Sequence, residues 1–366
     1  MSTTLPLPSL DTVDEDRTAA FEDRFVHALN EGGMLQLVSL GHRTGLLKRM
    51  EDGVTATSES LAGSCDLNER YVREWLGGMT VAGILEHDPD TMTYRLPLEY
   101  GSLLSDRGDS NLAVISQFLP LLGTVEDDIV DCFRHGGGVP YSRYGRFHEI
   151  MAEDSGQTVL PALFDAILPL APEIIGRLEA GGMRVLDLGC GRGQALIRMA
   201  ERFPESQFLG YDLSEDTINW ARECSAERGL NNLRFEVRDL TDFDRTAEEA
   251  GFDLVTTFDA IHDQAQPLNF LKGVRRTLKA DGVYLAQEIH ASSHHHHDCG
   301  HPLGPLLYTI SVMHCMSVSL AQNGEGLGTM WGRERARDYF ARAGFGSVEV
   351  NQLPHDIQND YWVLRP

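Results

Sequence analysis

The segment VLDLGCGRGQA, residues 185–195, carries the densest chemical signal in the chain. An apolar run ends in Asp187, and Gly189, Gly191 and Gly193 follow at alternate positions. Glycines there permit a tight turn and let a ligand approach the backbone closely. Gln194 stands where the dinucleotide fingerprint requires Gly or Ala, and no GK[ST] follows, so neither a usual pyrophosphate cradle nor a P-loop is present. An acid ahead of the glycines suits a cationic or amine-bearing ligand and repels a pyrophosphate. Asp212 and Leu213 lie in QFLGYDLS, Asp212 being 19 residues after Gly193. An acid at the end of a second strand can accept both hydroxyls of a ribose. Asp239 and Leu240 close the run LRFEVRDL, where a carboxylate can meet the exocyclic amine of an adenine. A fourth run ends in FDAIHD, which holds Phe258, Asp259, His262 and Asp263.

The elements that must position these residues follow from the pattern around them. From Met183 onward, short apolar runs alternate with amphipathic segments, expected as helices to Phe203, Arg228 and Leu278 and then over Gly332 to Ala343. Strand-helix alternation means a parallel sheet wrapped by helices, and open sheets of this kind bind ligands at the carboxyl ends of their strands. SVEVNQL and NDYWVLR are separated only by PHDIQ, which implies an antiparallel hairpin at the sheet edge.

The N-terminal portion is built differently. The first 20 residues are polar and are expected to fray. Helical spacing between Ala20 and Arg49, interrupted at Gly32-Gly33 and Gly41, predicts two helices. Thr57-Ser58 opens a short helix, and Asn68 caps a second with Glu69 in its first turn. Short strands at 84–86 and 93–96 then flank a turn at 87–90. Helix, turn, helix, hairpin is the order of a winged helix. Residues 110–180 read as irregular helices broken by Pro161, Pro169 and Pro172, with a loop rich in Gly, Tyr and Arg over 136–151. The expected domains are therefore residues 1–100 (winged-helix-like), 101–180 (a helical connector) and 181–366 (the ligand-binding sheet).

Composition narrows the function. The chain has 366 residues and a formal net charge of −24. Over positions 1–100 there are 8 basic and 17 acidic residues, a net of −9, and the second helix of the winged-helix pattern sets Glu69 and Glu74 beside Arg70 and Arg73. Duplex binding needs a basic footprint, so nucleic acid is an unfavoured partner and a structural or dimer-forming winged helix is expected. Six cysteines without a CxxC pair exclude a disulfide scaffold and a zinc ribbon and fit a reducing cytosol. The N-terminus has no basic n-region or apolar run, and Leu303 to Leu320 reads as a buried helix rather than a span, so a cytoplasmic protein without a membrane partner is expected.

With these motifs in order, residues 183–366 resemble a class I S-adenosylmethionine-dependent methyltransferase. DLGCGRG is similar to that family's first motif, GYDLS to its second, RDL to its third and FDAIHD to its fourth. With the N-terminal pattern added, the chain resembles the methyltransferases that carry a winged-helix N-terminal domain. The resemblance implies a Rossmann-like α/β fold with seven strands in the order 3-2-1-4-5-7-6, one of them antiparallel. It implies S-adenosylmethionine as cofactor, with Phe258 and Asp259 bordering it, a small-molecule acceptor, and a homodimer formed through the N-terminal domain.

A sulfonium methyl is already activated, so the enzyme must chiefly hold the acceptor in line, about 3–3.5 Å away. A hydroxyl or protonated amine also needs a base, and His is the usual one near neutral pH. His262, at the rim of the site, is the first candidate, with Asp263 to orient it. IHDQ is similar to the HDW segment of small-molecule O-methyltransferases, with Gln264 in place of Trp. The tract EIHASSHHHHDCGHP, residues 288–302, is dense in possible ligands, but four consecutive histidines cannot face one ion. It is read as a solvent-facing lid loop, and no metal is expected. His314 is read as core and Cys190 as a packing residue. Tyr141, Arg143 and Tyr144 are candidates for an acceptor wall. The alternative reading is a transcriptional regulator that senses S-adenosylmethionine and binds DNA through the winged helix.

Overall fold

The computed structural model describes residues 13–108 and 110–366. Within them the chain divides into two compact units, Met1–Pro120 and Leu121–Pro366. In the first unit a helix runs over Glu15–Arg43. The expectation of a frayed segment over the first 20 residues is corrected for its described part: 15–20 is helical. Asp14 caps it by accepting from the Arg17 amide at 3.0 Å, and Glu15 and Asp16 sit at the positive end of the helix dipole. Residues 1–12 lie outside the described residues. Gly32 and Gly33 do not break the helix; the chain turns instead at Gly45, with φ 75°, before the short helix Leu46–Met50.

The winged-helix order is present. Helices Ser58–Ser64 and Glu69–Val81 carry the expected caps, Thr57 and Asn68. The wing consists of β1 (Glu86–Asp88) and β2 (Thr93–Arg95), paired antiparallel. Its first strand starts two residues later than expected, because the amides of Ile84 and Leu85 both turn back to the Met79 carbonyl and finish the preceding helix. Leu47, Met50, Leu61, Val72, Leu76, Met79 and Leu96 form the core of this unit, and Trp75 Nε1 donates to the Leu37 carbonyl at 2.8 Å.

The second unit is a seven-stranded sheet. Its strands are β3 (Arg184–Leu188), β4 (Gln207–Asp212), β5 (Leu233–Val237), β6 (Phe252–Phe258), β7 (Leu278–Ile289), β8 (Ser347–Asn351) and β9 (Asn359–Arg365). They lie in the order β5-β4-β3-β6-β7-β9-β8, with β9 antiparallel to both neighbours. Counted within this sheet the order is 3-2-1-4-5-7-6, the expected topology. Alternate residues face opposite sides: Val185, Leu254, Val283 and Leu285 enter one core, and Leu186, Leu188, Val255 and Tyr284 the other. Burial on both faces is why these strands read as near-continuous apolar runs.

Helices Gln194–Arg202, Glu215–Glu227 and Pro267–Thr277 fall close to their expected ends. Gly304–Ala321 is helical throughout, with a π-helical turn at Ser311–Cys315. By length and composition it could cross a membrane, yet Leu307, His314, Cys315, Val318 and Ser319 are buried in the unit.

The turn after β3 depends on its glycines. Gly193 has φ 65°, and a Cβ there would lie 2.2 Å from the Phe235 ring of β5. A side chain would thus face both backbone strain and a rigid aromatic neighbour. Gly193→Ala is expected to destabilise the protein by about 2–4 kcal/mol, read as a lower urea midpoint at unchanged m-value. An unchanged midpoint would show that the turn is not constrained in this way.

Candidate active site

The carboxyl ends of β3, β4, β5 and β6 open into one cavity of about 570 Å3, within the size range of small-molecule sites. Asp187, Gly189, Gly191 and Gly193 form its floor after β3. Asp187 is buried, pairs across the sheet with Thr256 and accepts from the Thr256 hydroxyl at 2.8 Å. Burial, with a smaller contribution from Asp212, pushes its carboxyl up to about 7. A carboxyl held near neutrality beside a cavity gains by meeting a cation there.

Asp212 ends β4 and also lines the cavity. Its oxygens accept from the amides of Gly191 and Ser214, each at 2.8 Å, which fixes the carboxylate and ties the glycine turn to the next strand. Oδ1 also accepts from the Thr217 hydroxyl at 3.4 Å, and Oδ2 retains a lone pair for a further donor. Leu213 lies beside it at the exposed rim. Asp239 and Leu240 line the cavity after β5, and Asp239 accepts from the Thr241 amide at 2.8 Å. Phe258 and Asp259 line it after β6. Asp259 has φ 51°, a rare conformation for a non-glycine residue, and accepts from Gln287 Nε2 at 3.0 Å. Burial, then the charge of Glu288, hold its carboxyl well above the usual range.

His262 departs from expectation. It does not sit at the rim: its side chain is buried behind the wall, and Asp263 is the member of the pair that lines the cavity. His262 Nδ1 lies 2.6 Å from Glu288 Oε2, and Nε2 lies 3.5 Å from Asp263 Oδ1. Burial alone would lower the imidazole pKa, but the Glu288 and Asp263 carboxylates outweigh it and raise the pKa well above its ordinary value. Asp263 Oδ2 accepts from the Tyr141 hydroxyl at 2.8 Å, while its buried Oδ1 has no hydrogen-bond partner.

The remaining candidates separate clearly. Tyr141 and Tyr144 line the cavity with Phe147 and His148, whereas Arg143 pairs with Asp128 at the surface. His314 is fully buried and stacks on Phe147 with ring centroids 3.7 Å apart, and burial lowers its pKa to about 4. Trp331 is core: its Nε1 donates to Glu288 Oε2 at 3.0 Å. Cys190 lines the cavity, but burial holds its thiol well above the usual range, so it is no ready nucleophile. The run His294–His297 forms no cluster of three converging donors among the described residues.

Sequence reasoning missed Glu288 and His148. Glu288 left a signal, an acid inside the otherwise apolar strand VYLAQEI. A charge in a strand buried on both faces has to be paired. His148 left none, because only the folded connector brings it to the cavity.

Known proteins support the same frame. Residues 179–311 match the model for a methyltransferase domain, and residues 32–106 match the model for an Rv2258c-like winged HTH domain. A 2-heptyl-1-hydroxyquinolin-4(1H)-one methyltransferase of Mycobacteroides abscessus is 30% identical over 109 residues, 29% of this chain and 45% of that protein. The chain spans less than half the length of the curated relatives it matches. Human N-acetylserotonin methyltransferase, solved with its cofactor, superposes with a TM-score of 0.63 at 15% identity, covering 97% of this chain and 98% of that one. The mitomycin 7-O-methyltransferase structure gives 0.63 at 15% identity, covering 96% and 100%. The chain thus has a class I S-adenosylmethionine-dependent methyltransferase fold preceded by a winged-helix domain.

The raised pKa of Asp187 has a measurable consequence. The folded protein holds a proton on Asp187 that the unfolded chain releases near pH 4, so this group's contribution to stability is present at low pH and is lost as pH rises toward about 7. Asp154, raised to about 6, and His314, lowered to about 4, also titrate in this window, so the comparison must be with Asp187→Asn. Between about pH 4 and 7 the stability of wild type relative to that variant should fall by up to about 1.4 kcal/mol per pH unit in urea denaturation. A difference independent of pH would mean that Asp187 titrates normally.

Proposed function

We propose that this protein is a methyltransferase that uses S-adenosylmethionine to methylate a small-molecule acceptor. The observation that carries the reading is the Asp212 carboxylate, fixed by the Gly191 and Ser214 amides at the end of β4 and facing the same cavity as Asp187 and the glycine turn. In this reading Asp212 takes the ribose hydroxyls, Leu213, Asp239 and Leu240 hold the adenine, and Asp187 with Gly189, Gly191 and Gly193 receives the amine-bearing end. Phe258 and Asp259 border the reacting end. When bound, the cofactor supplies a methyl group activated by its sulfonium.

Tyr141, Phe147 and His148 then form an aromatic wall for the acceptor, and in-line placement provides much of the rate. Asp263 is the ionisable group of its cluster that reaches the cavity, so it takes the acceptor's proton. His262 acts through it, as a positively charged positioning residue anchored by Glu288. This reassigns the base from His262 to Asp263 on the ground of access.

The winged-helix unit serves structure or dimerisation in this reading. Phe21, Phe25 and Leu29, each more than half exposed, lie at four-residue spacing on Glu15–Arg43 and offer an apolar stripe to a second copy. Arg70 and Arg73 are engaged within their helix by Glu74 and Glu69, which leaves little positive field for duplex DNA and weighs against a sensing regulator. A cytoplasmic location belongs to the same proposal and is supported by six free cysteines, which suit a reducing compartment.

The test incubates the protein with methyl-deuterated S-adenosylmethionine and a clarified extract, and follows the label by mass spectrometry. Label should enter a small molecule. Asp212→Ala removes charge-assisted hydrogen bonds of about 1.5–3 kcal/mol each, so cofactor affinity should fall at least about tenfold. Label confined to macromolecules would overturn the acceptor class, and undiminished affinity in the variant would overturn the binding assignment.

A further inference from the structure

Behind the aromatic wall the chain brings together three ligating side chains from two separate segments. His262 and Asp263 come from the loop after β6, and Cys315 comes from the π-helical turn Ser311–Cys315. His262 is 3% exposed, Cys315 5% and Asp263 9%. One donor atom from each lies within 4.8 Å of the other two, and His262 Nε2 and Asp263 Oδ1 are 3.5 Å apart. Tetrahedral zinc, with bonds of about 2.0–2.3 Å, sets its ligand atoms roughly 3.3–3.8 Å apart, so the nitrogen-oxygen pair already has that separation and the sulfur must close by a small rotation.

The surroundings are those of a built site rather than a chance cluster. Asp263 Oδ1 is buried without a hydrogen-bond partner, while its other oxygen is fixed by the Tyr141 hydroxyl at 2.8 Å. Glu288 Oε2 holds His262 Nδ1 at 2.6 Å, which leaves Nε2 as the nitrogen turned toward Asp263. A carboxylate on the far nitrogen is the usual support of a metal-bound histidine. The π turn places His314 and Cys315 both inward, and such turns recur at functional sites. Asp263 lines the cavity, so the cluster borders it on one side.

We propose that His262 Nε2, Asp263 Oδ1 and Cys315 Sγ form a three-ligand site for a divalent cation of the zinc class, with its fourth position facing the cavity. One nitrogen, one oxygen and one thiolate sulfur suit zinc or cobalt and not magnesium or calcium. Binding displaces the protons of His262 Nε2 and of the Cys315 thiol, so a dication replaces two protons and the buried charge is unchanged. In the ion-bound form Asp263 serves as a ligand rather than as a proton acceptor, and the cation stabilises an anionic acceptor atom in the cavity.

The experiment uses the full chain, stripped with a chelator, and cobalt(II) chloride alone as the probe. One cobalt per chain should bind with a thiolate-to-cobalt charge-transfer absorption. Cys315→Ser should abolish that band and lower zinc affinity at least tenfold in competition with a chromophoric chelator. His294–His297→Ala, which removes the surface run, should leave both unchanged. The proposal is overturned if the stripped wild-type protein shows no charge-transfer band, if the band persists in Cys315→Ser, or if stoichiometric binding disappears with the surface histidines. The wild-type spectrum decides the question even if a variant misfolds. It reads the cation directly, so its failure leaves the methyl-transfer reading standing, and failure of methyl transfer leaves the cation site standing.

Discussion

Much of the site depends on one buried carboxylate. Glu288, near the end of β7, is 1% exposed and takes donors from three directions: the Ile261 amide at 2.8 Å, the Trp331 indole at 3.0 Å and the His262 imidazole at 2.6 Å. An acid in that position has to be met by donors, because a charge left unpaired in such an interior costs several kcal/mol. Meeting it fixes the loop after β6 to the neighbouring strand and fixes Trp331 beneath both. The direction of Asp263 into the cavity follows, since His262 turns inward to the glutamate and the next side chain is left to turn outward. A neutral side chain at 288 would leave that loop without the contact that sets its orientation.

The second constraint is the sheet itself. Parallel strands buried on both faces leave only their ends for chemistry, and the four motif ends lie on adjacent strands in the order β5-β4-β3-β6. Neighbouring strands run about 4.8 Å apart, so four ends span roughly 15 Å, the reach of an extended nucleoside. Asp212 ties two of these ends together by accepting from the Gly191 amide of the adjacent turn. Asp187, Asp212, Asp259 and Asp263 line one cavity, and Glu288 stands behind its wall on the His262 imidazole. Carboxyl groups outnumber the two arginines of its lining, Arg192 and Arg238, which favours a cation-bearing ligand over a phosphate, the same conclusion that the D-x-G-x-G-x-G spacing supports by a separate route.

What was legible in the sequence was whatever is set by local spacing. The strand-helix alternation, the caps at Thr57 and Asn68 and the edge hairpin of β8 and β9 all follow from neighbours along the chain. So do the glycine turn and Asp212, because strand ends in a parallel sheet converge by topology alone. The misplacements share one cause. Gly32 and Gly33 read as a break, yet a cap at Asp14 and many flanking turns carry the helix through them. Ile84 and Leu85 read as strand, yet the helix before them needed its last carbonyl satisfied. In both cases a neighbouring element outweighed the residue's own preference.

The placement of His262 shows the same limit at the level of chemistry. Of two adjacent ionisable residues on a loop, sequence alone does not say which one lines the cavity. That choice was made by Glu288, 26 residues away in the chain and on a different strand. The acid inside VYLAQEI was visible, but its partner was not, because pairing between strand ends is a tertiary fact. The histidine therefore keeps its place in the site and changes its function there. It is held charged behind the wall, and the member of the pair that lines the cavity is Asp263. The same inward turn brings Nε2 toward Cys315, from a helix whose apolar composition gave no hint of a ligand. Residues placed by tertiary pairing, rather than by motif, are where this chain carries chemistry that its motifs do not express.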